Sequence, residues 1–282
     1  MPSRRQFLRF SGGSVAVSLA AGAALTQGRA EAAGEKPRPK FELGVASFTF
    51  RRFPLDTCLA MTRRVGLKHV CLKDLHLPMS SAPEALARLA ASVKAAGLDL
   101  YGCGVIPMHT PAQVDHAFEY ARAAGVRLVV CAPTAELLPR LDENVRKHNI
   151  SAAIHNHGPG DKIFPTPDVV YEKVRRLDPR VGLCIDIGHT VRIGGDPARA
   201  IERCADRLLD VHLKDVTAAT ATGVCVEGGR GVIDIPKVLQ SLVRSGYSGI
   251  ASFEYEKNEA DPLPGLAESV GYVRGVLAAI SA

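Results

Sequence analysis

Ala152-Ala-Ile-His155-Asn-His157, Leu183-Cys-Ile-Asp186-Ile-Gly-His189, Asp210-Val-His212-Leu-Lys214-Asp and Ser252-Phe-Glu254-Tyr-Glu256 each carry an apolar, strand-like run into a residue type that ligates metal ions. The runs stand about 30 residues apart with helical stretches between them, which is the spacing of consecutive βα units. In a closed parallel barrel every C-terminal strand end meets at one face, so residues distant in sequence converge there. Imidazole nitrogen and carboxylate oxygen together suit a divalent ion: Mn²⁺, Zn²⁺, Co²⁺ or Mg²⁺.

Working outward, the chain divides into eight strand-then-helix units. Strands are expected over 43–49, 68–73, 99–106, 126–131, 151–157, 181–187, 208–214 and 249–255, and helices over 55–65, 83–96, 111–124, 135–148, 167–177, 197–204, 235–245 and 263–280. Pro83, Pro111, Pro167 and Pro197 fall where proline is tolerated, in a first helical turn. Gly97 and Gly125 close helices and lead straight into strands. Eight such units predict a single α/β domain, a (β/α)8 TIM barrel. An open doubly wound sheet is disfavoured, because no Gly-x-Gly-x-x-Gly follows the first strand.

Ahead of the barrel, Ser3-Arg4-Arg5-Gln6-Phe7-Leu8 has a twin-arginine pattern. A Gly-, Ala- and Ser-rich apolar run and an Ala30-Glu31-Ala32 cleavage site follow it. Residues 1–32 therefore read as a signal peptide engaging the twin-arginine translocation machinery, and 33–282 as the catalytic domain, periplasmic or secreted. The formal net charge is +6, and the signal segment supplies half of it through Arg4, Arg5, Arg9 and Arg29 against Glu31. The remaining charge is too small and scattered for a nucleic-acid track, so no nucleic-acid partner is expected. There is no Trp, which excludes stacking of a sugar on indole. The seven cysteines are an odd number, and Cys71, Cys131 and Cys184 sit in apolar runs; they read as small buried hydrophobes and not as a disulfide framework.

Cys-Ile-Asp186-Ile-Gly-His189, Val-His212-Leu-Lys-Asp215, Gly229-Arg-Gly231-Val-Ile-Asp234 and Phe-Glu254-Tyr-Glu resemble the xylose isomerase-like TIM barrels. That family includes sugar-phosphate isomerases and epimerases, inosose dehydratases and apurinic DNA-repair endonucleases, and the twin-arginine segment is similar to that of its exported members. The resemblance spans the whole chain after residue 32. It implies one metal held by the residues ending strands five to eight, here His155, Asp186, His212 and Glu254, with His157 a competing ligand on the same strand face. Where the epimerases of the family carry glutamate at the strand-five position, this chain has His155. Such epimerases invert a carbon with two glutamates on opposite faces, so replacement of one weakens a two-face mechanism.

The resemblance implies a metal-dependent sugar isomerase or epimerase acting on a sugar or keto-sugar through an enediolate, with Glu254, His155 and Lys73 as catalytic candidates. A lyase or dehydratase acting on a 3-keto-sugar or inosose is the alternative; a non-catalytic sugar-binding protein and an endonuclease are weaker readings. His157, His189, Lys214 and His76 are candidates to touch the sugar substrate, each weighed against an ordinary rim or packing role. Residues 217–231 are expected to form an active-site wall. No arginine cluster marks a phosphate pocket. The endonuclease reading also lacks ligands for further zinc ions, since strands two and three end in Lys73-Asp74 and Ile106-Pro107.

Overall fold

The structure, a computed structural model, describes residues 39–281. The twin-arginine segment and the Ala30-Glu31-Ala32 site lie outside these residues. The strands are β1 (Glu42–Ala46), β2 (His69–Leu72), β3 (Asp99–Met108), β4 (Leu128–Pro133), β5 (Ser151–His155), β6 (Val181–Asp186), β7 (Leu208–Leu213), β8 (Asp215–Val216), β9 (Cys225–Val226) and β10 (Ile250–Phe253). All except β8 and β9 pair in parallel in chain order, and β10 closes onto β1. The expected (β/α)8 barrel is therefore the fold. β8 and β9 form a separate antiparallel pair, and β9 falls within residues 217–231.

The helices are α1 (Leu55–Arg64), α2 (Pro83–Ala95), α3 (Pro111–Ala124), α4 (Leu138–His148), α5 (Pro167–Val174), α6 (Ile187–Arg192), α7 (Pro197–Arg203), α8 (Ile235–Arg244) and α9 (Leu263–Ser281). Proline opens α2, α3, α5 and α7, where its missing N–H is no loss. Thr110 and Gln113 form a reciprocal capping box at the start of α3, and Gly125 ends that helix in the left-handed region at φ 69°. Two expectations shift. The fourth helix begins with a 3-10 turn over Ala135–Leu137, and the sixth unit contains α6, a short helix opening directly on Asp186 that periodicity did not reveal.

Two apolar regions hold the barrel. Between sheet and helices, α8 is representative: Ile235, Val238, Leu239, Leu242 and Val243 recur on one face and are all buried. Inside the barrel, Cys71, Tyr101, Leu128, Val130, Ala153, Cys184 and Ile250 pack together below the catalytic rim. All seven cysteines are free thiols, six of them buried, as their apolar settings predicted. Leu239 has no exposed surface, so Leu239→Ala is expected to cost about 2–5 kcal/mol through lost burial and residual cavity; chemical denaturation that moves by less than about 1 kcal/mol would show that α8 repacks freely.

Candidate active site

Strand register brings the strand-end residues together. Asp186 is the direct cross-strand neighbour of His212, and His155 that of Cys184. Glu254 follows β10 and is tied to β7 by donation from its backbone N–H to the Leu213 carbonyl at 3.1 Å. One ligand atom from each of His155, Asp186, His212 and Glu254 lies within 4.8 Å of the others. His155 Nε2 stands 3.1 Å from His212 Nδ1 and 3.7 Å from Asp186 Oδ2, and His212 Nδ1 stands 3.4 Å from Glu254 Oε2. The four are 2, 0, 1 and 3 % exposed in the order His155, Asp186, His212, Glu254.

Local structure explains why each side chain is aimed. Asp186 caps α6, its Oδ1 accepting from the His189 N–H at 2.7 Å. Its Oδ2 is buried and faces the cluster, where its near neighbour is the Lys214 ammonium at 3.1 Å, an ion pair and not a well-aligned hydrogen bond. Asn156 fastens the neighbouring strand end: its Oδ1 accepts from the Asp186 N–H and its Nδ2 donates to Thr190 Oγ1. Asn156 is thus a buried brace between β5 and α6.

Lys214 supplies the compensating charge. Its ammonium lies 3.1 Å from Asp186 Oδ2 and 2.9 Å from Glu254 Oε2, and also pairs with Glu256. Lys73 adds a second cation 3.3 Å from Glu254 Oε1, seated over the Phe48 ring. Burial opposes ionisation of Glu254, but Lys214, Lys73 and His212 together outweigh it and hold the carboxyl well below its usual range. Asp186 is likewise depressed: burial pushes up, while Lys214 and the flanking imidazoles prevail. Burial drives His155 well below its ordinary value and lowers His157 and His189 too, keeping their rings neutral. His212 moves the other way; burial pulls down, but Glu254, Asp210 and Asp186 raise it.

The remaining candidates separate by position. His157 stands above the cluster with its side chain 40 % exposed, its ring 4.5 Å from that of His155, and Nδ1 3.5 Å from Asp161. It is not among the four atoms that converge. His189 turns Nε2 toward Asp186 Oδ2 at 4.0 Å, while Arg192 approaches its Nδ1 at 3.3 Å. His76 is a correction. Both ring nitrogens are engaged, Nδ1 with Ser47 Oγ and Nε2 with the Phe53 carbonyl, each at 2.9 Å, so it buttresses the loop after β1 and offers nothing to a substrate. Lys214, a candidate to touch substrate, is 5 % exposed and lies in the cluster floor with its ammonium paired to Asp186, Glu254 and Glu256.

Asp215 accounts for the glycine motif. Its carboxylate accepts from the N–H groups of Val216, Gly229, Gly231 and Ile233. A Cβ on Gly231 would overlap that carboxylate and the Val216 carbonyl, so the segment folds against β8 only with glycine there. The N–H groups of Gly229 and Gly231 are given to Asp215 and are not free to bind an anion. Missed altogether was Asp210, fully buried two residues before His212. The signal was present in Asp210-Val-His212-Leu-Lys214, where a period of two places three polar residues on one strand face.

A family model described as xylose isomerase-like TIM barrel matches residues 59–276. The chain belongs to this family. Among curated proteins it is similar to rhizopine catabolism protein MocC of Rhizobium meliloti, 31% identical over 143 residues, 45% of this chain and 43% of that one. It is also similar to an inosose dehydratase of Lacticaseibacillus casei, 28% identical over 144 residues, 45% of this chain and 47% of the other. The chain thus spans under half the length of the curated relatives it matches. Among solved structures, the IOLI protein with a bound zinc atom superposes with a TM-score of 0.64 at 17% identity, over 86% of this chain and 98% of that one, a likeness of fold.

The ion pairs of the floor generate a prediction for metal-free protein, kept so by a chelator. Lys214→Met leaves two buried carboxylates without their main counter-charge and is expected to cost about 3–5 kcal/mol at pH 7. Depressed carboxyls contribute stability present above their ordinary values of 4.5 (Glu254) and 3.8 (Asp186) and lost as pH falls below them. In the variant these groups take up protons at higher pH, so the deficit should shrink between pH 7 and pH 4. A deficit that stays constant would assign Lys214 to packing instead of charge.

Proposed function

We propose that the protein removes the proton next to the carbonyl of a keto-sugar or inosose with the help of one divalent metal ion, and resolves the resulting carbanion by elimination. The observation that carries this reading is the convergence of two imidazoles and two carboxylates within 4.8 Å, with the second oxygen of Glu254 turned away toward Lys73. The donor set fits a metal. Asp186 Oδ2 accepts no well-aligned hydrogen bond among the described residues and meets only the Lys214 ion pair, the imidazole of His155 is held neutral by burial, and both carboxylates are held ionised. His155, Asp186, His212 and Glu254 would hold the ion, and Mn²⁺, Zn²⁺, Co²⁺ and Mg²⁺ all suit such ligands. When bound it would polarise the substrate carbonyl and neighbouring hydroxyl and so acidify the adjacent C–H bond.

The chain's own residues supply the rest. Glu254 Oε2 faces His212 and Lys214, while Oε1 stands beside Lys73, so Oε1 is the free base that takes the α-proton. The C–H electron pair moves onto the carbonyl oxygen. Its return expels the β-hydroxyl, which Lys73 protonates to water, and an unsaturated ketone remains; the proton on Glu254 then passes back to Lys73. His157 and His189, partly open above the cluster, would bind substrate hydroxyls. His155 stands where inversion would require a second carboxylate, and neutral imidazole turned into a ligand cluster cannot serve as that opposite base. This favours elimination over epimerisation. The similarity to an inosose dehydratase points the same way.

Isomerisation is the second reading, and one feature favours it: a single carboxylate beside a lysine suffices to move a proton between adjacent carbons on one face. Twin-arginine export, with action outside the cytoplasm and no nucleic-acid partner, belongs to the same proposal. Incubating the protein with Mn²⁺ and a panel of keto-sugars and inososes in D2O decides among these. Deuterium should enter the α position, and a near-ultraviolet enone should appear with loss of water. Glu254→Gln should slow both by about 10²–10⁴-fold. Exchange with every substrate atom conserved would select isomerisation, and absence of exchange across the panel would overturn the enolisation reading.

A further inference from the structure

The mechanism above leaves Asp210 unused, although it is a charged group with no exposed surface in the interior of the barrel. Its surroundings are ordered. Tyr101 donates its hydroxyl to Asp210 Oδ1 at 3.2 Å and is itself 2.5 Å from Ser252 Oγ; the Cys184 thiol lies 3.6 Å from Oδ2. The same Oδ2 faces His212 Nε2 at 3.7 Å. That nitrogen is buried and has no hydrogen-bond partner, and Asp210 is the carboxylate it meets on the side away from the cluster. The other ring nitrogen, Nδ1, points at His155 and Glu254.

Tautomer logic links these facts. A histidine presents a lone pair to a ligand cluster only when its proton is on the opposite nitrogen. For His212 that proton must sit on Nε2, a fully buried position facing Asp210, where an N–H without an acceptor is costly. We propose that Asp210 is a positioning residue that accepts the Nε2 proton of His212, fixing the ring with Nδ1 bare toward the cluster. The Tyr101 hydroxyl, held by Ser252, anchors the carboxylate from below, so that a polar column rises through the barrel from Tyr101 to the strand ends. The role rests on the metal-site reading given above, and it concerns affinity for the ion, not contact with substrate.

The test compares wild type with Asp210→Asn and Asp210→Ala, following Co²⁺ binding by its visible spectrum and, separately, the melting temperature of each metal-free protein. Asparagine keeps an oxygen acceptor at the same place. It is expected to bind Co²⁺ within about threefold of wild type, whereas alanine, which leaves Nε2–H without a partner, is expected to bind about 10–100-fold more weakly. Metal-free melting of the two variants should not follow that order. Alanine binding as tightly as wild type would overturn the proposal. So would asparagine as weak as alanine, since the loss would then reflect disturbance of the barrel interior. A wild-type protein that binds no Co²⁺ would overturn the metal reading itself, a result distinct from either.

Discussion

Two carboxylates and a lysine meet at the C-terminal end of the barrel with almost no water to screen them, and most of the site follows from that one meeting. The Lys214 ammonium sits about equally close to Asp186 and Glu254. Buried unpaired charges are costly enough that either carboxylate alone would take up a proton or disrupt its strand. Paired, they stay ionised at neutral pH beside His155, whose imidazole burial keeps neutral, while the surrounding carboxylates raise His212. His155 can therefore receive a cation without first giving up a proton. The pairing also limits how much net negative charge the cluster offers, because the lysines balance it before any ion arrives.

The surrounding fold keeps this arrangement rigid. Asn156 ties the end of β5 to the start of α6, Asp215 gathers the segment from Gly229 to Ile233 through four N–H groups, and His76 with Ser47 holds the loop after β1. Each of these ties down a strand end or loop around the cluster. Within that frame the two oxygens of Glu254 differ in surroundings: Oε2 faces His212 and Lys214, and Oε1 faces Lys73. The chain therefore joins a family scaffold to an asymmetric cluster, and the proposed one-face proton removal rests on that asymmetry.

Most of the fold was legible because apolar runs, helix-opening prolines and helix-closing glycines recur in eight units, and barrel closure turns that repeat into a single face. His155, Asp186, His212 and Glu254 were legible for the same reason, each ending its run. What escaped depended on direction rather than on residue type. His76 looked like a site residue until both of its nitrogens proved to be bonded inward. Lys214 was legible as facing inward, two residues beyond His212 on the same strand face, but its pairing with Asp186 and Glu254 was not, because that depends on strands distant in sequence. Asp210 was overlooked because an aspartate inside an apolar strand reads as an exception, whereas it lies directly below a histidine on that same face. Helix α6 carried no periodic signal, being one and a half turns long and fixed by the Asp186 cap.

The central claim is that these four strand-end residues form one metal site. A crystal of the protein soaked in Mn²⁺, with anomalous scattering recorded at the manganese edge, tests it most directly. The account predicts a single strong peak bonded to one atom each of His155, Asp186, His212 and Glu254, with His157 outside bonding distance. A peak centred on His157 and His189 instead, or Lys214 still bridging Asp186 and Glu254 with no manganese between the four, would contradict it.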